Sequence, residues 1–223
     1  MNDLSKGGDG FRVDVQGLGP GNDNDRQYAL TEAQAKDGVT FKLEGKAPMF
    51  RTVLVSGSPS SAPPPATSKL KVDKTFYTMT GGRVDLARVT QGDQLVVKLT
   101  VSPEERRLNP VILADLLPAG FEIETTLRPA DGYNQYGKSG AFAFLGEIDT
   151  AQTAQAQDDR FVAAVDVYGE ARTLAYVVRA VTPGDFAIPG VVAEDMYRPQ
   201  VYARSKAGRV VVAPARNSAE GGR

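Results

Sequence analysis

A chain of 223 residues without one histidine or cysteine has few routes to covalent chemistry. Histidine is the commonest general base and neutral metal ligand, and the cysteine thiolate is a ready nucleophile. Neither a Ser-His-Asp nor a Cys-His arrangement can be assembled from this chain alone, and disulfides and thiolate metal sites are excluded. What remains is carboxylates, paired at Glu122/Glu124, Asp158/Asp159 and Glu194/Asp195. A glycosidase needs two of them facing each other across a bond. Glu122 and Glu124 alternate with Phe121 and Ile123, which puts both on a solvated strand face instead. Asp158-Asp159-Arg160 reads as turn chemistry with a local ion pair. Asp23-Asn24-Asp25 opens like a calcium loop, but Gln27 and Tyr28 stand where a third oxygen ligand and the glycine belong, so a plain loop is expected. Gly81-Gly82 and Gly184-Asp185 are single turns without the helix and Lys-Ser/Thr of a phosphate loop. No catalytic residue, metal or cofactor is expected, and the chain reads as a binding module rather than an enzyme.

The constellation that stands apart is EDMYRP, residues 194–199. It sets Met196 and Tyr197 between the acids Glu194 and Asp195 and the pair Arg198-Pro199. A flexible thioether and an amphipathic ring are favoured where one protein covers another. Pro199 stiffens the exit and biases Arg198 toward an extended backbone. The plainer possibility is a strand-to-strand loop with Tyr197 folded onto its own core. The residues alone leave both open.

The elements that must position this loop are strands. Phe11, Val13 and Val15 alternate with Arg12, Asp14 and Gln16, the period-2 mark of a half-buried strand. Residues 30–36 (LTEAQAK) form the best helical piece, with Thr31 as its N-cap. Strands are expected at 39–43 and 49–55, and then, at the spacing of a sandwich, at 70–77, 84–89, 94–101, 111–117 and 121–126. In QLVVKLTV (94–101), Leu95, Val97, Leu99 and Val101 share one face. Residues 127–140 form a long irregular loop, 141–145 a short strand, and 149–157 a polar connection. Residues 161–167 and 172–181 look like a hairpin joined by Tyr168-Gly169-Glu170. Short strands at 186–188 and 201–204 and a last one at 209–212 complete the fold. The class is all-β, an antiparallel β-sandwich preceded by a partial β domain.

The Pro-rich stretch 58–68 (SPSSAPPPATS) is the clearest boundary, because consecutive prolines cannot join a ladder and favour an extended spacer. The organisation read from this is a disordered start (1–10), a partial β segment (11–57), the linker (58–68), the sandwich (69–215) and a disordered tail (216–223). Lys+Arg total 26 against Asp+Glu 27, a net charge of -1, so no global field favours nucleic acid. The first ten residues hold no apolar core. Any export signal or membrane anchor is expected outside this stretch.

LLPAGFEIE (116–124), DDRFVAAVDV (158–167), AYVVRAVTPGDFAIP (175–189) and EDMYRP (194–199), in this order and spacing, together resemble the C-terminal end of bacterial alpha-2-macroglobulins. These are large periplasmic proteins related to the complement thioester proteins. The resemblance covers residues 70–214 and implies the last macroglobulin-like domain, a seven-stranded antiparallel sandwich of immunoglobulin-like type. YALTEAQAKDGVTFKLEG and FRTVLVSGSP, within residues 11–59, resemble the segment that follows the thioester domain and completes a CUB domain around it.

The resemblance implies a protease trap. A protease cuts a bait region, the molecule rearranges, and an exposed thioester acylates the attacker. The family's reactive cysteine and glutamine lie in the thioester domain; this chain has no cysteine and cannot contain that bond. In the family the last domain packs on the thioester domain, and a loop with a Met-Tyr pair keeps water and stray nucleophiles off the bond. Met196 and Tyr197 match that position, with Arg198 beside them. The partner implied is the thioester domain of the parent polypeptide or of a separate chain, with proteases as indirect partners and the periplasm as the compartment. A stand-alone immunoglobulin-like adhesion or ligand-binding module is the alternative, since sandwiches host many functions.

Overall fold

The computed structural model describes residues 11–15, 30–45, 61–132, 140–157 and 159–215. The chain divides into two compact units, residues 1–57 and 58–223. In the first, β1 (Phe11–Val15) pairs antiparallel with β2 (Phe41–Gly45), and α1 (Glu32–Asp37) lies between them in sequence. Thr31 caps α1 as its residue type predicts. Its Oγ1 accepts from the Gln34 N–H at 3.3 Å, and Gln34 Oε1 accepts from the Thr31 N–H at 2.9 Å, a reciprocal capping box. The expected strand at 49–55 and the Asp23-Asn24-Asp25 loop lie outside the described residues, as do 1–10 and 216–223.

The second unit is a sandwich. Its six-stranded sheet runs β3 (Ala66–Ser68), β14 (Arg198–Arg204), β13 (Val192–Asp195), β7 (Asn109–Leu116), β10 (Arg160–Val167), β9 (Thr153–Gln157). The facing sheet runs β4 (Leu70–Thr78), β6 (Gln94–Pro103), β11 (Arg172–Ala180), β8 (Phe121–Thr126). A third sheet joins β12 (Gly184–Ile188), β15 (Gly208–Ala213) and β5 (Val89–Thr90), with β15 and β5 parallel. The two main sheets thus hold ten strands, where the resemblance implied seven. Among the described residues no helix is long and apolar enough to cross a membrane.

Alternation builds the core. Leu95, Val97, Leu99 and Val101 of β6 are buried against Val111 and Leu113 of β7 and Phe161, Val165 and Val167 of β10. Phe161 stacks on Tyr176 of β11 across the sheets, with ring centroids 4.7 Å apart. β6 and β11 are buried on both faces, which is why VV and AYVV read as continuous apolar runs. On the outer face Val96, Ala175 and Val177 are covered by Leu145 and Ile148. One polar network spans the sandwich: Lys74 Nζ donates to Asp115 Oδ1 at 2.6 Å, and Tyr176 Oη donates to Asp115 Oδ2 at 2.6 Å. Burial raises the Asp115 carboxyl above its usual range despite the opposing Lys74 charge, and burial beside Asp115 pushes the Tyr176 phenol well up.

Five local expectations are corrected. Residues 160–167 and 172–180 do not form a hairpin; β10 pairs β7 and β9, β11 pairs β6 and β8, and the turn between them crosses from one sheet to the other. Residues 143–145 form a 3-10 turn, because Leu145 inserts beneath the outer face while its carbonyl accepts from Lys98 Nζ at 2.7 Å. The polar connection 153–157 is the edge strand β9, held by its register with β10 although all five residues are exposed. Of the expected 84–89 strand only Val89 extends, opening β5 (Val89–Thr90). The Asp85 carboxylate accepts from the Ala87 N–H at 3.1 Å and curls the chain instead. Residues 66–68, the end of the Pro-rich stretch, pair with β14.

Candidate functional site

Residues 194–199 are a hairpin rather than an open loop. β13 ends at Asp195, β14 starts at Arg198, and Met196 and Tyr197 form the turn. The register slips between Glu194 and Asp195, so β14 carries extra residues beyond Arg198. Pro199, which has no N–H for a ladder, sits in that irregular stretch.

Counting by twos from Val191 through Ala193 reaches Asp195, and all three point inward and are buried. Glu194 therefore faces the other way, half-buried opposite Ile112 and Tyr202, so the two acids cannot act as a pair. Asp195 is 1% exposed. Its Oδ1 accepts from the Tyr197 N–H at 3.0 Å and the Arg198 N–H at 2.9 Å, and its Oδ2 accepts from Arg198 Nη2. Burial alone would raise this carboxyl; the Arg198 guanidinium and the two backbone N–H groups outweigh it and hold the carboxyl below its usual range.

Arg198 ties the turn to its neighbours. Nη2 also donates to the Leu108 carbonyl at 2.9 Å and to Asn109 Oδ1 at 3.0 Å. Asn109, itself buried, donates Nδ2 to the Arg107 carbonyl at 2.7 Å and to the Val167 carbonyl at 3.4 Å. The Met196 N–H donates to the Pro110 carbonyl at 2.9 Å. Three connections, 104–108, 168–171 and 196–197, are thereby joined at one end of the six-stranded sheet. Of the three buried polar or charged residues among those described, Asn109, Asp115 and Asp195, two lie under this turn. Charge-assisted bonds in a low-dielectric setting are strong and directional, so the turn is rigid at its base.

Its two tip residues face outward. Tyr197 is 81% exposed and Met196 43%. Tyr197 is not folded onto its own core. Leaving a ring in water above a buried carboxylate suits a surface whose partner lies outside the unit.

The other acids have local roles. Glu124 is bound by Arg179 and Gln94, and Glu122 is exposed. Asp159 is bound by Arg160 at 2.6 and 2.9 Å, which holds its carboxyl below the usual range; Asp158 lies outside the described residues. Sequence reasoning missed Asn109, whose signal was its place before Pro110 at the start of an alternating strand. It also missed the inward direction of Asp195, which the period-2 count already contains.

Residues 70–200, the sandwich together with this hairpin, match the family model of the bacterial alpha-2-macroglobulin MG10 domain. The chain belongs to the bacterial alpha-2-macroglobulin family. Alpha-2-macroglobulin of Xylella fastidiosa (strain Temecula1) is 34% identical over 181 residues, covering 80% of this chain and 11% of that protein. The crystal structure of native Escherichia coli alpha-2-macroglobulin from domain MG7 to the C-terminus superposes with a TM-score of 0.61 at 34% identity, covering 71% of this chain and 25% of that one. Salmonella alpha-2-macroglobulin reacted with methylamine gives a TM-score of 0.60 at 37% identity, covering 71% of this chain and 10% of that one. The chain thus spans about a tenth of the length of the curated relatives it matches.

Proposed function

We propose that the chain is the non-catalytic C-terminal module of a periplasmic alpha-2-macroglobulin-type protease trap. In this reading residues 66–215 are the last macroglobulin-like domain, residues 11–57 complete a CUB domain, and 58–65 link them. The module packs on the thioester domain, and Met196 and Tyr197 cover the reactive bond. The observation that carries this is the exposed Tyr197 ring on a turn held from below by Asp195, Arg198 and Asn109. A thioester survives only where water is kept from it. An aromatic ring and a thioether can exclude water without offering a strong nucleophile, and a buried ionic base holds them at a fixed height. Glu194 and Pro199 flank the tip, and proteases are met indirectly, through the bond the module shields.

The test is Met196→Ala with Tyr197→Ala in the polypeptide that carries the thioester domain. Truncating two buried interface residues of these types removes about 2 kcal/mol of contact, so methylamine should react about thirtyfold faster before any protease is added. An unchanged rate would remove the shielding role.

A further inference from the structure

The hairpin tip does not stand alone. Leu108 and Tyr168 are each 52% exposed, and they flank Asn109 and Val167, which are partners in the β7–β10 register. The Leu108 carbonyl is bound by Arg198, and the Asn109 amide bridges to Val167. Leu108, Tyr168, Met196 and Tyr197 therefore crown the same end of the same sheet, on three connections held by one buried network. Four exposed apolar side chains gathered in this way are a patch, whereas scattered ones would need no account.

The rim carries charge without partners. In the β6–β7 connection Glu104 and Glu105 are taken by Lys71 and Lys69, at 3.5 and 3.3 Å. Arg106 and Arg107, next in sequence, are exposed and have no carboxylate within ion-pair distance among the described residues. Arg106 lies against the turn that follows Tyr168: a Cβ added at Gly169 would sit 3.6 Å from its Nε. Two guanidinium groups thus stand beside the apolar patch with their donors unclaimed by the described residues.

We infer that the partner contact centred on Met196 and Tyr197 extends over Leu108 and Tyr168 and is bounded by Arg106 and Arg107. The surface it meets is a protein surface, apolar at its centre and bearing carboxylates where the two arginines fall. That occupant rests on the proposed function, in which it is the thioester domain around its reactive bond. Arginine suits such a rim because its planar fork binds carboxylates bidentately.

Hydroxyl-radical footprinting tests the extent of the contact, comparing the 223-residue chain alone with the full polypeptide that carries the thioester domain. Loss of labelling at Leu108 and Tyr168 as well as at Met196 and Tyr197 is the expected result. Protection at 196–197 alone would overturn the extended surface and leave the shielding role standing. Protection at none of the four would overturn both. Protection at all four with methylamine reactivity indifferent to Met196→Ala/Tyr197→Ala would keep the docking surface and remove the shielding role. The rim is tested by Arg106→Glu with Arg107→Glu, both exposed and so without effect on folding. At low salt methylamine should react about fivefold faster than with the parent, and the difference should disappear near 1 M salt, where the screening length falls to about 3 Å. A parent-like rate at low salt would overturn the carboxylate rim.

Discussion

Asp195→Ala is the sharpest probe of how the hairpin is held. The substitution removes three accepted hydrogen bonds at once, two from backbone N–H groups and one from the Arg198 guanidinium. Bonds to a charged group contribute about 1.5–3 kcal/mol each, but the sum overstates the loss. The turn is at the surface, so water can reach the freed Tyr197 and Arg198 N–H groups. Arg198, one-fifth exposed, keeps the Leu108 carbonyl and Asn109 Oδ1. The expected cost is therefore about 3 kcal/mol, at the low end for breaking a buried ion pair. Urea unfolding of the 223-residue chain measures it, and a fall in melting temperature of roughly 6–12 °C should accompany it. The loss should also be local, with faster hydrogen exchange at the Tyr197 and Arg198 amides. The pH dependence has a fixed sign. The folded carboxyl sits below its ordinary value of 3.8, so between the two values the unfolded chain binds more protons and stability rises with pH. The Asp195 contribution is complete above about pH 4 and is lost as pH falls through the folded value, so the gap between wild type and variant should close in acid. A loss below about 0.5 kcal/mol, or a gap as wide at pH 3 as at pH 7, would refute the account of the turn.

Three further outcomes follow from the same coordinates. Met196→Ala/Tyr197→Ala should leave the stability of this chain within about 0.5 kcal/mol of wild type, because both side chains are exposed; denaturant midpoints decide it. Lys74→Met should cost about 3–5 kcal/mol at neutral pH by leaving the Asp115 carboxylate buried without its cation. Lys74 opposes the upward shift of the Asp115 carboxyl, so without it the carboxyl rises further and the penalty should shrink as pH falls toward the wild-type folded value, which urea unfolding across a pH series reads directly. Gly190→Ala places a Cβ 2.2 Å from the Ser205 carbonyl oxygen, whose residue is bonded to Val191 through both its N–H and its hydroxyl. That backbone cannot step aside, and a loss of about 2 kcal/mol is expected in thermal unfolding.

The core-facing residues spaced by two were legible in the sequence. Leu95 to Val101 and Phe121 to Ile123 turned as their spacing requires, and Thr31 capped the helix it precedes. The mispairing of β10 with β11 has a physical reason. Tyr168-Gly169-Glu170 would serve a hairpin as well as a crossover, and the choice lies with β6 and β7, strands distant in sequence. β9 escaped because Thr-Ala-Gln-Ala-Gln has little strand preference of its own and extends only against β10. At the site, Met196 and Tyr197 stood out by residue type. Their support did not, because the buried carboxylate looks like one of two loop acids until the period-2 count is carried through it. Leu108 and Tyr168 give no local sign that they meet, since only the β7–β10 register brings them together.

The way the chain enters the sandwich gives the hairpin a mechanical role. β3 is only three residues long and, among the described residues, pairs solely with β14, the arm of the hairpin that leaves Tyr197. Its ends are fastened to that arm by side chains, Ser68 Oγ donating to the Gln200 carbonyl at 2.7 Å and Arg204 Nε to the Pro64 carbonyl at 2.9 Å. Past β3 the chain turns at Lys69, which has a left-handed φ of 63°, and continues as β4 in the opposite sheet. A pull from upstream is thus borne first by β14, in shear across these few bonds, before it reaches the core.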